Sequence, residues 1–377
     1  MRWKTSTMGV MALATATAVL VGACSSDDGG SGGGGGGTTS PETIATAKEN
    51  VTKFSALDQK FPMPTEPVTP GTGTVAILGG GFTAPIHAEQ AKNAQVAAGV
   101  MGWNVLGPFD GKFSPAVQGG YVDQAVQAKA TGVVMIAVDV SAIKGSIDRA
   151  LTAGVKVACV MCDSGQEYRD KGVIDVAVNF QTQGEYMGWY LIASSEGKSK
   201  ILSTVEPAAP QTVKRAEGLK SVIDTNCPGC SVESLTIPSA DSVLPGPPQW
   251  SSFLTANAGS VTDAVAYYDG LAKPMFDTLT QTGVEGITVN GYDADTSTVE
   301  ILRSGKGGFG ATVGEPYEFA TWGALDQIAR SKAGLPLWES SDLPSVLITA
   351  DNAEQYTPYL APAGDWQAQF TTLWGKG

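Results

Sequence analysis

The chain has a single histidine, His87, few arginines and little apolar sequence in long runs. His87 falls in a predicted helix rather than after a strand, so the commonest general base is missing from the positions where an α/β enzyme would hold it, and no G-x-S-x-G nucleophile turn is present. Beyond residue 23 the arginines are Arg149, Arg169, Arg215, Arg303 and Arg330; Arg149, Arg303 and Arg330 fall within or at the end of predicted helices, which leaves Arg169 and Arg215 as the candidate anion contacts. Past residue 70 no apolar run is long enough for a membrane span. Residues 1–23 carry Arg2 and Lys4 and no acid, so their removal takes the formal net charge from −13 to −15. So acidic a chain has no basic surface for phosphate, which argues against nucleic acid and anionic membrane as partners.

What is present begins with a junction. Arg2 and Lys4 precede a short apolar stretch over 8–21, and Val21-Gly22-Ala23-Cys24 then opens onto Ser25-Ser26-Asp27-Asp28 and a glycine tract. This reads as a bacterial lipoprotein signal over 1–23, with Cys24 as the thiol that takes the lipid. The stretch 24–40 cannot bury apolar area and is expected to be a flexible tether. Over 41–71, Ile44, Ala47, Val51, Phe54 and Leu57 have helical spacing, and Pro62, Pro64, Pro67 and Pro70 impose an extended lead-in. A short helix packed on the globular body is expected.

Four cysteines follow Cys24. Cys227-Pro-Gly-Cys230 lies in a turn-rich stretch, where a local disulfide is expected in an exported protein. Cys159 and Cys162 end an apolar run; in an extended strand residues three apart are separated by roughly 10 Å, so these two are expected as buried, reduced thiols. No metal site is expected, because a zinc site would need both pairs to converge.

From residue 74 apolar runs alternate with helical periods. Strands are predicted over 75–78, 104–106, 133–138 and 155–161, with helices over 85–101, 114–130 and 142–153 between them. A crossing segment over 176–180 leads to a second series, with strands over 200–205, 231–237, 264–268, 286–292 and 310–313. Helices are predicted there over 184–194, 211–224, 249–255, 273–282, 296–304 and 317–332. Strands that are apolar throughout and separated by helices indicate parallel sheets covered on both faces, and two such series indicate two lobes with a crevice at the strand carboxyl ends.

The residues at those ends are aromatic and acidic. Phe82 follows the first strand, Asp139 the third and Asp163 the fourth; Asn179 and Phe180 end the crossing segment; Glu206, Tyr268, Asp269, Asp293 and Glu315 follow later strands. Carboxylates accept hydrogen bonds from hydroxyls and aromatic faces pack on C–H surfaces, which suits a neutral polyhydroxylated ligand. Two readings stand for Asp139 and Asp293, a helix N-cap and a ligand contact. Two also stand for Trp250, core and lobe edge. Gly79-Gly80-Gly81-Phe82 lacks the dinucleotide-binding spacing.

With these residues in place the chain resembles the type I periplasmic binding proteins, the ribose- and xylose-type substrate-binding lipoproteins of ABC importers. The resemblance covers roughly 72–377. It rests on Gly132-Val-Val-Met-Ile-Ala-Val-Asp139, the strand ending in Asp163, Arg215-Ala-Glu-Gly-Leu219, Gly291-Tyr-Asp293, Ile301-Leu-Arg-Ser-Gly305 and Ala311-Thr-Val-Gly-Glu315-Pro-Tyr317. It implies two doubly wound parallel-sheet lobes joined by a three-crossing hinge, with crossings near Asn179, Glu315 and 341–346. The N-terminal lobe would be 72–178 plus 315–340, and the C-terminal lobe 179–314 plus 345–377. Phe82, Asp163, Asp269, Asp293 and Glu315 match the family's binding pattern best. Ser164 stands where an arginine is usual, and Tyr268-Asp269 where an Asn-Asp pair is usual.

The expectation is therefore a monomeric, lipid-anchored receptor, without a cofactor, that closes on a small-molecule solute, a sugar or polyol, and presents it to an ABC transporter permease. Receptors for a nucleoside, a furanone signal or a small amine, a sensory receptor without a permease, and a carboxylate-pair glycosidase are the alternatives.

Overall fold

The structure, a computed structural model, describes residues 37–376 apart from Pro358. The signal, Cys24 and most of the tether lie outside the described residues. The described chain opens on helix α1 (Pro41–Phe54), capped by the Ser40 side chain and started by proline at its first turn.

The first apolar runs then become strands β1 (Thr74–Gly79), β2 (Asn104–Asp110), β3 (Gly132–Ile136), β4 (Lys156–Val160) and β5 (Val173–Val176). They pair in the order β2-β1-β3-β4-β5, all parallel. Helices α2 (Pro85–Met101), α3 (Pro115–Gln127), α4 (Lys144–Thr152) and α5 (Gly165–Asp170) connect them, α5 being a short element that the apolar pattern did not announce. α2 ends where Gly102 adopts a left-handed φ of 77°, a turn open to glycine without a Cβ penalty. Every residue of β3 is buried, the signature of a central strand covered on both faces.

The chain crosses at Val178, which bridges Leu343 on the return path, and enters α6 (Phe180–Ser194). The second sheet contains β6 (Lys200–Val205), β7 (Ser231–Thr236), β8 (Asp263–Val265), β9 (Thr288–Asp293), β10 (Phe309–Gly314) and β11 (Val346–Thr349) in the order β11-β10-β9-β8-β6-β7. Only β11 runs antiparallel. Helices α7 (Pro210–Asn226), α8 (Ser239–Ser242), α9 (Pro248–Asn257), α10 (Asp269–Thr282) and α11 (Thr296–Arg303) join these strands. Glu315 and Pro316 then return the chain to α12 (Tyr317–Ala333), which packs on β3, β4 and β5 of the first sheet.

Two sequence expectations are corrected. Cys159 and Cys162 form a disulfide instead of remaining thiols, because β4 stops at Val160 and Met161 turns with a φ of 50°, which brings the two Cα atoms to 5.5 Å. The Cys227–Cys230 disulfide forms as expected. The C-terminal stretch, expected wholly in the second lobe, divides. β11 joins the second sheet, whereas α13 (Trp366–Leu373) packs on α12, with Trp322 and Trp374 stacked at 5.4 Å and Phe370 beside them. Trp366, Phe370 and Trp374 recur every fourth residue, so one helical face carries the two indoles and the phenyl ring onto that surface.

The N-terminal segment touches both halves. α1 lies on α6 through Phe54, stacked on Tyr186 at 3.9 Å, and the Thr39 hydroxyl donates to the Gly197 carbonyl at 3.0 Å. Farther along, Arg330 donates to the Glu66 carbonyl, Val68 donates to the Leu373 carbonyl, and Trp103 donates to the Gly71 carbonyl.

Helices α6 and α7 approach unusually closely. A Cβ on Gly184 would lie 2.0 Å from the Arg215 carbonyl oxygen, and one on Gly218 would lie 2.0 Å from that of Gln181. Gly184→Ala is accordingly expected to cost about 3 kcal/mol by forcing the two backbones apart. Gly120→Ala, in α3 with open space around it, is expected to be neutral or stabilising by up to about 1 kcal/mol. Denaturant midpoints of the two variants check both values.

Candidate functional site

The carboxyl ends of both sheets face one cavity of about 330 Å³. This is where a doubly wound sheet places its switch-point crevice. The first sheet contributes His87, Phe113, Pro115 and Gln118 from the loops and helix starts after β1 and β2, and Ala137, Asp139, Ala142 and Met161 from those after β3 and β4. The second contributes Glu206 and its following loop, Thr212 and Arg215 from α7, Ser239 and Ser242 from α8, and Tyr267, Tyr268 and Asp293. Phe180 and Tyr317 line it from beside the crossings. Ala137, Met161 and Asp293 all have positive φ, at 51°, 50° and 99°, so strained backbone is concentrated at strand ends on the cavity wall.

Arg215 organises the second wall. Its Nε donates to Gln183 Oε1 at 2.9 Å and its Nη1 to the Tyr267 carbonyl at 2.8 Å. Its Nη2 donates to Asp293 Oδ1 at 3.0 Å and Glu315 Oε2 at 3.1 Å. The guanidinium lies 4.6 Å from the Tyr292 ring centroid and 5.3 Å from that of Phe180. Burial opposes its charge, but Asp293 and Glu315 outweigh that and hold it protonated above its ordinary range. Burial also drives the Asp293 carboxyl well up, with Arg215 pulling the other way. One buried cation is thus answered by two carboxyl groups, which leaves it no free charge for an anionic ligand. The close approach of α6 and α7 is what brings Gln183 within reach of Arg215.

The expected contacts separate into two groups. Asp139, Phe180, Glu206, Tyr268 and Asp293 line the cavity. Asp139 also accepts from the Ser141 amide at 2.8 Å, but Val140 and not Asp139 is the residue that precedes the helical turn at Ser141–Ile143, so Asp139 is not its N-cap. Asp293 does not cap α11, whose preceding residue is Asp295. Tyr268 stacks on Tyr267 at 5.2 Å and shares a 2.7 Å hydrogen bond with Ser242; burial raises both phenols, Tyr267 to about 12.

Phe82, Asp163, Asn179, Trp250, Asp269 and Glu315 do not line it. Phe82 lies against Gly79, where a Cβ would come within 2.5 Å of its ring. Asn179 caps α6 by accepting from the Thr182 amide at 3.1 Å. Trp250 is fully buried core and donates to the Met275 carbonyl at 3.2 Å. Asp269 is a buried bracket that accepts from Thr298, from Thr312 and from the Asp295 amide; burial lifts it to about 7 against those hydrogen bonds. Glu315 stands behind Arg215, where its Oε2 also accepts from Gln183 at 2.9 Å. Asp163 reaches across the cleft to Lys214 on α7 at 2.6 Å, while Arg169 pairs with Asp163 and Asp175 and not with the cavity. Lys214 is half exposed, so that bridge is worth at most about 1 kcal/mol.

His87, Phe113, Gln118 and Tyr317 also line the cavity, on helices or on the left-handed Phe113 turn, where strand-end reasoning does not reach.

The fold and cavity define a two-sheet α/β binding cleft. The sequence matches the family described as periplasmic binding protein domain over residues 70–330, and the chain belongs to that family, whose members work outside the cytoplasm. No curated protein matches it. An ABC transporter solute binding protein from Mycobacterium smegmatis with bound glycerol has a TM-score of 0.68 at 17% identity, covering 77% of this chain and 100% of its own. The Caulobacter myo-inositol binding protein bound to myo-inositol has a TM-score of 0.67 at 18% identity, covering 75% and 95%. A sugar ABC transporter protein from Yersinia enterocolitica has a TM-score of 0.70 at 14% identity, covering 81% and 96%. At these identities the likeness is one of fold. Among the described residues no helix is long and apolar enough to cross a membrane.

His87 supplies a pH prediction. Burial depresses its ring to about 4, against an attraction from the Gly81 backbone and Asp110 that raises it. The folded value lies below the unfolded one, so the stabilisation is complete above about pH 6.5 and is lost as the pH falls toward about 4. Between those limits wild type is expected to lose about 3 kcal/mol that His87→Gln does not lose. Unfolding of both proteins followed across that range measures the difference.

Proposed function

We propose that the chain is the extracytoplasmic solute-binding lipoprotein of an ABC importer and binds a small, neutral, polyhydroxylated ligand between its two lobes. The carrying observation is the balanced Arg215 cluster in a cavity walled by both sheets. Its charge is answered internally, while Asp293 and Asp139 keep carboxylate oxygens for ligand hydroxyls. Solved relatives of the same fold carry glycerol and myo-inositol, which fits this reading.

In this reading the lobes are 72–178 with 315–340, and 179–314 with 345–365, and the protein acts as a monomer that presents its closed form to a permease. Binding draws the two walls together because ligand hydroxyls are shared between them, a hinge motion driven by differential affinity for the closed state. The chain makes and breaks no bond. Cys24 carries the lipid that holds the protein at the membrane.

Calorimetry against pentoses, hexoses and polyols is expected to find a ligand, and Asp293→Asn is expected to weaken it by about tenfold to a hundredfold while the fold persists. Heat from none of these compounds would sink the reading. For the anchor, Cys24→Ser is expected to move the protein from the membrane fraction to the soluble fraction of its own cells, and an unchanged distribution would remove the lipid from the account.

A further inference from the structure

His87 is the only histidine of the chain, and its ring lines the cavity from the first turn of α2. Its neighbours hold that ring closely. A Cβ on Gly80 would lie 3.3 Å from its Cε1, and the Phe113 ring lies 5.7 Å away between centroids. Nδ1 stands 3.2 Å from the Gly81 amide nitrogen and 3.1 Å from the Gly81 carbonyl oxygen, so the tautomer turns on which of the two it serves.

The hydrogen bonds around Gly81 decide it. The Gly81 carbonyl already accepts from the Ala84 amide at 3.2 Å, whereas the amide of this buried residue has no other acceptor among the described residues. A buried N–H is rarely left without a partner, so Nδ1 accepts from Gly81 and the ring proton sits on Nε2. Burial holds the ring down to about 4, which keeps it neutral at pH 7. Nε2 then carries a proton with nothing among the described residues to accept it.

The other open side-chain groups of the wall are less committed. The Gln211 amide and the Ser239, Tyr267 and Tyr317 hydroxyls each offer both a donor and an acceptor, and the second Asp139 oxygen accepts. Of these groups His87 alone can only give.

Resting on the receptor reading above, we infer that His87 is a specificity-determining ligand contact whose Nε2–H donates to a lone pair on a ligand oxygen. A hydroxyl, ring ether or carbonyl satisfies it. An ammonium group at that place brings a second donor and no lone pair, and a methylene leaves the Nε2–H dry, so amino and deoxy analogues altered at that oxygen are rejected.

A lone histidine makes the test direct. In untagged protein carrying nitrogen-15 histidine, the two-bond proton–nitrogen correlation at pH 7 is expected to show one neutral ring protonated at Nε2. A ring protonated at Nδ1 overturns the inference whatever the ligand is. Pentoses, hexoses and polyols, among them ribose, glucose, galactose, glycerol and myo-inositol, are then screened by calorimetry. A compound that gives heat is expected to move the His87 Nε2 resonance, and its affinity is expected to fall about tenfold or more in His87→Leu but only about threefold in His87→Gln, whose amide restores a donor. Both variants lack Nδ1, so a merely structural role for the ring would weaken them alike. An unmoved resonance, or equal losses in the two variants, overturns the inference and leaves the receptor standing. Heat from no compound overturns both.

Discussion

A single buried guanidinium ties the second half of the molecule together. Arg215 comes from α7, Gln183 from α6, Tyr267 from the end of β8, Asp293 from the end of β9 and Glu315 from the crossing after β10. Four separate stretches of chain thus converge on one side chain, and each must be positioned before its polar atoms are satisfied. A buried ion cluster of this kind is weak evidence for stability, since desolvation offsets much of the attraction, but removal of any partner strands a charge. Its value lies in geometry. It fixes where the strand ends of the second sheet stand relative to the hinge and presents Asp293 to the cavity.

The same cluster explains why the chain has so few arginines to offer a ligand. Arg149 and Arg330 hold Asp123 and Asp326, Arg303 holds backbone carbonyls near 353–356, and Arg169 holds Asp163 and Asp175. Each guanidinium is occupied by the fold itself, and the cleft is left to aromatic rings and carboxylates. Asp163 and Lys214 add a bridge across that cleft whose exposure keeps it weak, so the hinge is free to respond to what fills the cavity.

Much of this was legible in the residues. The apolar runs that became β1, β3, β4, β6 and β9 are buried strands with no room for another reading, and the acids after them drew attention to Asp139, Glu206 and Asp293. The pattern could not tell a carboxylate facing the cavity from one turned inward. Asp269 and Glu315 follow strands just as Asp293 does, yet Thr298 and Thr312 capture the first and Arg215 the second. Backbone conformation was equally hidden. Nothing in Val-Met-Cys announces that Met161 turns left-handed, and that turn decides both the Cys159–Cys162 disulfide and the position of Met161 on the wall. Trp366, Phe370 and Trp374 had a readable spacing, but their acceptor, α12, is set by the tertiary path.

The segment ahead of the family match has a mechanical meaning. Thr39 is clipped to Gly197 and to the Gly229 amide of the Cys227–Cys230 loop and α1 is seated on α6, and farther along Phe61 packs on Phe319 of α12 and the Glu66 carbonyl accepts from Arg330, fastening the chain to the other half. Tension applied upstream of Thr39 therefore meets the second half first, at that corner, before any of the contacts to the other half farther along the chain.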